Sequence, residues 1–145
     1  MPIEWQVDHV RRLVVANAHG TLTGEEILRY QREVWSRPDV AGYDELVDMS
    51  DVQDTQATTK LIQELAALSA TMDPEGSRSK FAIVAPQQAL YGLGRMYETY
   101  RGMEDRSTKR VGVFRDRAEA LLWLAGGGLP PEPRTPGPPN AGPRG

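Results

Sequence analysis

The sequence predicts an α/β domain whose elements follow the order β-β-α-β-α-β-α-β-α. Three times, a short apolar strand runs directly into an amphipathic helix that begins with a capping residue. In the clearest case a strand at 109–115 is followed by a helix over 116–124, where Asp116 and Glu119 have the spacing of a capping box. Parallel strands joined by helices need right-handed crossovers. We therefore expect a mixed, mostly parallel sheet with packed helices and an antiparallel strand at its N-terminal edge.

Two strands are predicted before the first helix. Residues 3–8 alternate apolar with polar side chains, which is typical of a half-buried strand, and 11–19 are more continuously apolar. The polar stretch between them predicts a hairpin turn. Thr23 is the expected N-cap of a helix that ends before Pro38.

The next two units repeat the pattern of strand and helix. A strand at 46–49 is followed by an acidic loop and by a helix over about 58–72. A strand at 81–85 is followed by a helix from Pro86 to about Gly102. Apolar residues recur at helical spacing in both helices, which indicates that one side of each packs on the sheet.

Composition narrows the classes of function. The chain has 145 residues, which suits one domain, here 1–125. Its net charge of −3 argues against a nucleic-acid partner. It has no cysteine, so disulfides and thiolate chemistry are excluded. The N-terminus has no secretory signal pattern and no stretch is apolar enough to span a membrane, so we expect a cytoplasmic protein.

The C-terminal segment 126–145 has a different composition. It is rich in glycine and proline and cannot supply a packed core, so we expect a disordered tail. Residues 133–136 match the minimal Pro-x-x-Pro pattern of a proline-rich ligand. A solvated tail without a partner explains the same composition.

Several loose motifs carry a family resemblance. They are 20–26 (GTLTGEE), 46–50 (LVDMS), 81–85 (FAIVA), 91–97 (YGLGRMY) and 113–120 (VFRDRAEA). With the element order, they make the chain resemble the SpoIIAA-like family, small bacterial proteins with a STAS-type fold. The resemblance spans roughly 3–124. It implies C-terminal helices that can shift, a homodimer, and a link to apolar ligands or membrane surfaces as in the related CRAL-TRIO lipid-transfer domains. It implies no settled enzymatic activity and no cofactor.

An acidic run follows the strand at 46–49. Asp48, Asp51 and Asp54 supply oxygen ligands of the kind that Mg²⁺ prefers, near the carboxyl end of a strand. An enzyme using Mg²⁺ there is one hypothesis. The alternative is structural, because Asp51 or Asp54 can cap the next helix while Asp48 bonds loop amides. Neither histidine has a partner at metal-ligand spacing, and no complete catalytic motif occurs. We therefore expect no metal site and no enzyme.

A second hypothesis follows from the STAS resemblance. Anti-sigma-factor antagonists in that group carry Asp-Ser-Ser-Gly, whose second hydroxyl is phosphorylated, and the matching segment here is 54–57. Gln56 stands where the phosphorylated serine belongs, and glutamine cannot take a phosphate. Thr55 and Thr58 are the candidates for a shifted phosphosite, although hydroxyls before a helix are also ordinary caps.

The third helix supports the leading hypothesis, which is a non-enzymatic module that binds an apolar ligand or a partner protein. Its side chains Leu93, Met96, Tyr97, Tyr100 and Met103 form one stripe at spacings of three and four. Gly92 and Gly94 weaken the helix, which indicates close packing or easy displacement. We predict a pocket between this helix, the last helix around Trp123, and the sheet. A small apolar ligand or a partner protein would bind there once the third helix moves. Plain core packing is the alternative.

Overall fold

The computed structural model describes residues 2–126, and the predicted tail beyond Gly126, with its Pro-x-x-Pro stretch, lies outside them. The strands are Ile3–Asp8 (β1), Leu13–Leu22 (β2), Asp44–Thr55 (β3), Lys80–Val84 (β4) and Arg110–Phe114 (β5). The helices are Gly24–Trp35 (α1), Thr59–Thr71 (α2), Gln88–Gly102 (α3) and Arg117–Leu124 (α4), with a short 3-10 turn at Pro38–Val40. The predicted element order is confirmed.

The strands form one sheet in the order β1-β2-β3-β4-β5. β1 pairs antiparallel with β2, and every other neighbouring pair is parallel. Ile3 lies opposite Ala18, and Asp8 lies opposite Leu13 at the hairpin. The α/β class and the antiparallel edge strand are therefore confirmed.

The strand β3 is longer than predicted, because the acidic stretch after residue 49 is not a loop. β2 continues to Leu22, and β3 stays paired with it as far as Thr55, with two register shifts between residues 17 and 21 of β2. Val52 is fully buried, whereas Asp51 and Asp54 are exposed. Because these aspartates interrupt the apolar run, the sequence predicted a loop where β3 continues.

Helices cover the two faces of the sheet unequally. Phe81 and Ile83 of β4 pack in the core cluster with residues of α2 and α3. Ala82 and Val84, which point the other way, pack with Trp123 of α4. We call these the three-helix face, covered by α1, α2 and α3, and the single-helix face, covered by α4. This division decides where a cavity can form.

Short polar side chains begin three of the helices. Thr23, Thr58 and Asp116 each accept a hydrogen bond from a backbone amide in the first turn of α1, α2 and α4. The predicted caps Thr23 and Asp116 are confirmed. The prediction that Asp51 or Asp54 caps α2 is wrong, because both lie within β3, ahead of the capping residue Thr58.

Candidate functional site

A cavity of about 100 Å³ lies on the three-helix face, between the sheet and α1, α2 and α3. Its wall is almost wholly apolar, and it is only half enclosed. The strands supply Ala18, Leu22, Val47, Met49, Phe81 and Ile83, while α1 supplies Ile27, α2 supplies Ile62 and Leu65, and α3 supplies Leu90 and Leu93. A void of this size that polar groups hardly touch favours an apolar occupant over water.

The predicted stripe of α3 divides between the cavity and its surroundings. Leu93 and Tyr97 line the cavity. Met96 and Tyr100 are half-buried and pack against the same core cluster without forming its wall. Met103 lies just after the helix and is 70% exposed. The stripe therefore contributes two wall residues, and the α1 and α2 residues that complete the wall were not among the predicted ligand-binding residues.

Trp123 does not belong to the cavity. Its ring packs against Phe114 on the single-helix face, with ring centroids 5.4 Å apart. The prediction that Trp123 closes a pocket with α3 is therefore wrong. The sheet lies between α3 and α4. Because α4 follows the last strand, no crossover connection fixes the face on which it packs.

The two glycines of α3 have different surroundings. A Cβ atom built on Gly94 would lie 3.0 Å from Val113 Cγ1, so this glycine allows α3 to approach β5 closely. Gly92 is exposed, and a Cβ atom there would meet nothing within 4 Å. The contact at Gly94 is typical of tight helix packing and does not favour easy displacement of α3.

Tyr97 joins the cavity to a buried polar region. Its ring meets Phe81 edge-on, with centroids 5.7 Å apart, and lines the cavity. Its hydroxyl lies 2.8 Å from Ser69 Oγ and accepts a hydrogen bond from Arg101. Burial raises the pKa of Tyr97 to about 12, and the Arg101 charge opposes that rise. The phenol therefore stays neutral and holds one fixed orientation.

Four charged side chains form a cluster beside this phenol, which we call the charge cluster: Glu45, Asp73, Arg101 and Lys109. Arg101, only 2% exposed, donates to Asp73 Oδ1 at 2.5 Å. Asp73 Oδ2 accepts from the backbone amides of Thr108 and Lys109, at 2.8 and 3.2 Å. Lys109 Nζ lies 3.4 Å from Glu45 Oε1. Two acids and two bases thus compensate one another, which is what makes their burial tolerable.

The wall residue Tyr30 ties α1 to the charge cluster. Its hydroxyl donates to Glu45 Oε2 at 2.8 Å, and Trp35 Nε1 donates to the same oxygen at 3.1 Å. Burial, and then the Glu45 charge, raise the pKa of Tyr30 well above its ordinary value. Burial lowers the pKa of Lys109 although Glu45 acts against it. Sequence reasoning missed this cluster because charged residues are rarely buried and no local pattern marks such a pair.

The three predicted acidic residues do not come together. Asp48 lies on the single-helix face, where its Oδ2 accepts from Arg117 at 2.7 Å and its Oδ1 from the Ser50 amide at 2.9 Å. Burial tends to raise the pKa of Asp48, but the Ser50 and Arg117 hydrogen bonds outweigh it and hold the pKa below its usual range. Within residues 2–126 no group of three or more His, Cys, Asp or Glu side chains is arranged to hold a metal ion.

The two predicted phosphosite threonines occupy different environments. The Thr55 hydroxyl donates to the Leu22 carbonyl at 3.2 Å and accepts from the Ala57 amide at 3.1 Å. Thr58 is exposed, and its Oγ accepts from the Leu61 amide at 3.1 Å. The Thr55 hydroxyl thus stabilises the turn between β3 and α2, whereas Thr58 caps α2 and is the more accessible of the two.

Comparison with known proteins identifies the fold. The structure is similar to the crystal structure of an uncharacterised DUF3478-family protein with a SpoIIAA-like fold from Shewanella loihica PV-4. The TM-score is 0.55 at 16% sequence identity, and the match covers 84% of this chain and 93% of that one. The chain therefore has a SpoIIAA-like fold, with the mixed five-stranded sheet that the resemblance implied.

The remaining comparisons give no relative. No protein-family model matches the chain, and no curated protein matches it. In the part of the chain that the structure describes, none of the helices combines the length and apolar character needed to cross a membrane.

Proposed function

We propose that the protein is a non-enzymatic binding module that takes a small apolar molecule into the cavity on its three-helix face. The observation that carries the proposal is a half-enclosed void of about 100 Å³ with an almost wholly apolar wall. Protein interiors are normally packed with few voids larger than a water molecule, so a space of this size has a cost in stability. A ligand that fills the cavity regains that stability.

The cavity also suggests where a ligand enters. Ile27 of α1 and Leu65 of α2 line it and are only partly buried. The two helices meet near their ends, where Gly24 packs on Leu61 and Gln31 donates to Met72. We therefore place the mouth between α1 and α2, which leaves the Gly94 contact of α3 intact. This route replaces the displacement of α3 that the sequence suggested.

Benzene is a suitable first probe, because an engineered apolar cavity of about 150 Å³ binds it. We expect saturating benzene to raise the melting temperature of the wild-type protein. Ala18 is 2% exposed and lines the cavity, so Ala18→Ile fills the space and should weaken binding at least about tenfold. Ala67→Ile, at an exposed position of α2, is the matched control and should bind as the wild type does. Equal binding by both variants would contradict the proposal.

A phosphorylation-regulated interaction protein is the alternative, favoured by the exposure of Thr58 at the start of α2. A phosphate there would lie beside the first free amides of the helix. The intact mass of protein purified from its native host tests this function. One added phosphate that disappears in Thr58→Ala supports it, whereas an unmodified mass in growing and stressed cells contradicts it.

The quaternary and surface interactions that the resemblance implies stay proposals. A homodimer is testable by light scattering across a concentration series. Contact with a membrane surface is testable by flotation with vesicles. Contact with a partner protein is testable by a direct binding measurement once a candidate partner is purified. Each experiment should be done with and without the cavity probe, since a ligand-controlled module should respond to its ligand.

A further inference from the structure

Tyr97 belongs both to the cavity wall and to the polar interior beside it. Because the wall exposes almost no polar surface, the ring of Tyr97 borders the space and its hydroxyl does not. The one proton of the Ser69 hydroxyl goes to the Leu65 carbonyl at 2.8 Å, so Tyr97 donates to Ser69 and accepts from Arg101. A ligand in the cavity and the charge cluster therefore contact two ends of the same side chain.

Asp73 extends these contacts from Arg101 to the segment between α3 and β5. Its Oδ1 accepts from Arg101, while its Oδ2 accepts from the backbone amides of Thr108 and Lys109 at 2.8 and 3.2 Å. We call the two amide bonds the Asp73 clamp. They hold the segment 103–109 to the chain just after α2. A continuous series of bonds thus leads from the cavity wall to a segment that is largely exposed or half-buried.

The empty cavity leaves the first link of this series incomplete. The Tyr97 ring packs edge-on against Phe81, but where it borders the cavity it has no partner atoms and lacks their dispersion contacts. The orientation of the ring therefore depends chiefly on the hydroxyl bonds at its far end. A ligand that packs on the ring adds a second restraint, and a group already ordered by one partner is ordered by another at a lower entropic cost.

We propose that a ligand in the cavity tightens the Asp73 clamp through Tyr97, so that the segment leading into β5 opens less often when the cavity is filled. This inference rests on the proposed function and names the regulation of that site. Its two states are a closed clamp, with both amides bonded to Asp73, and an open clamp, in which water replaces Asp73. Coupling between two sites is reciprocal, so opening of the clamp weakens ligand binding by the same factor.

Amide hydrogen exchange in the full chain, followed by NMR with and without saturating benzene, tests the coupling. Amides at such sites exchange through local opening. We expect benzene to slow exchange at Thr108 and Lys109 at least about fivefold, the lower end of typical couplings between sites. The matched controls are the amides of Val10 and Arg11, which donate to Asp8 Oδ1 at 3.1 and 3.0 Å after β1. Their exchange should change less than about twofold.

Two variants test the route from either end. Tyr97→Phe keeps the ring and removes the hydroxyl, so it should still bind benzene while Thr108 and Lys109 lose their response. Asp73→Asn replaces the charged acceptor of the clamp by a neutral amide and should weaken benzene binding about fivefold, measured by calorimetry. Asp8→Asn, which makes the same change at the control amides, should bind benzene as the wild type does.

The outcomes separate this inference from the proposed function. If benzene does not bind, both are wrong. If benzene binds but Thr108 and Lys109 respond no more than the control amides, the cavity is a binding site and the coupling is wrong. An undiminished response in Tyr97→Phe also overturns the inference, because the hydroxyl would then not carry the coupling. The comparison of amides within the wild type is decisive even if the variants fail to fold.

Discussion

On the single-helix face of the sheet, the side chain of Trp123 packs directly on the strands. On the three-helix face, a cavity lies beneath α1, α2 and α3. Trp123 lies directly over Gly112, where an added Cβ atom would come within 3.2 Å of the indole ring. On the opposite face, side chains from α1, α2 and α3 surround about 100 Å³ of space. The three-helix face is thus less completely packed than the single-helix face, although more helices cover it.

Each face also has its own ion pair. Arg101 and Asp73 on the three-helix face are 2% and 6% exposed, whereas the Arg117 side chain that pairs with Asp48 on the other face is 43% exposed. Solvent screens the second pair and leaves the first at nearly full strength. The charge network beside the cavity is therefore the more deeply buried of the two.

Breaking the buried ion pair of Arg101 and Asp73 should cause the largest loss of stability. Arg101→Met leaves the buried Asp73 carboxylate without its cation and also removes the donor to Tyr97. We expect a loss of about 3–5 kcal/mol in the free energy of unfolding, measured by urea denaturation. Arg29→Met, which removes an exposed pair with Glu25 on α1, is the control and should cost less than about 0.5 kcal/mol. Similar losses in the two variants would show that the charge cluster is solvated.

Enlarging a buried alanine on each face tests the difference in packing directly. Ala82 is fully buried beneath α4, so Ala82→Ile should cost about 1–3 kcal/mol through overpacking. Ala18 lies on the cavity wall, so Ala18→Ile should stay within about 1 kcal/mol of the wild type. Urea denaturation of both variants measures the difference. Equal costs would mean that the cavity cannot accept added volume.

The pair on the single-helix face should produce a dependence of stability on pH. Because the pKa of Asp48 is lower in the folded than in the unfolded chain, its stabilisation is complete above the unfolded pKa of about 4 and is lost as the pH falls through the folded value. Asp48→Asn should cost about 1 kcal/mol at pH 7 and progressively less below about pH 4. Unfolding curves from pH 7 to pH 2 measure this, with the exposed Asp51→Asn as control. A cost that does not change with pH would assign the effect to packing.

The smallest expected effect is a gain in stability at Gly92. Its position in α3 is open to solvent, so Gly92→Ala adds helix propensity without a clash and should stabilise by about 0.5–1 kcal/mol. Thermal unfolding measures the change. Gly94→Ala is the companion variant: its Cβ atom would press on Val113, so it should gain less than Gly92→Ala or lose stability. A larger gain at position 94 would show that α3 packs loosely on β5.

Much of the fold could be predicted because its signals are local. Alternation predicted the edge strand, and Thr23 and Asp116 marked the starts of two helices. The face of α4 could not be predicted, since right-handed crossovers place α1, α2 and α3 on one side but leave a helix after the last strand unconstrained. Trp123 was therefore placed on the wrong face.

The candidate site was predicted only where its residues follow a helical period. Leu93 and Tyr97 belong to such a stripe and do line the cavity. Gln31 and Glu45 carry no comparable signal, because a polar residue in an amphipathic helix or strand is expected to face water. Their burial depends on contacts with Met72 and Lys109, which lie 41 and 64 positions further along the chain.

That separation along the chain has a consequence for synthesis on the ribosome. Glu45 is made early, while Arg101 and Lys109, which neutralise the acids of the charge cluster, emerge only with α3 and the start of β5. In a nascent chain that ends before Arg101, the carboxylates of Glu45 and Asp73 would have no cation beside them. Their charges should keep the three-helix face hydrated until both cations are made. Completion of the three-helix face is thus postponed until the last strand has left the exit tunnel, so a truncated product should be recognised by proteases as incomplete.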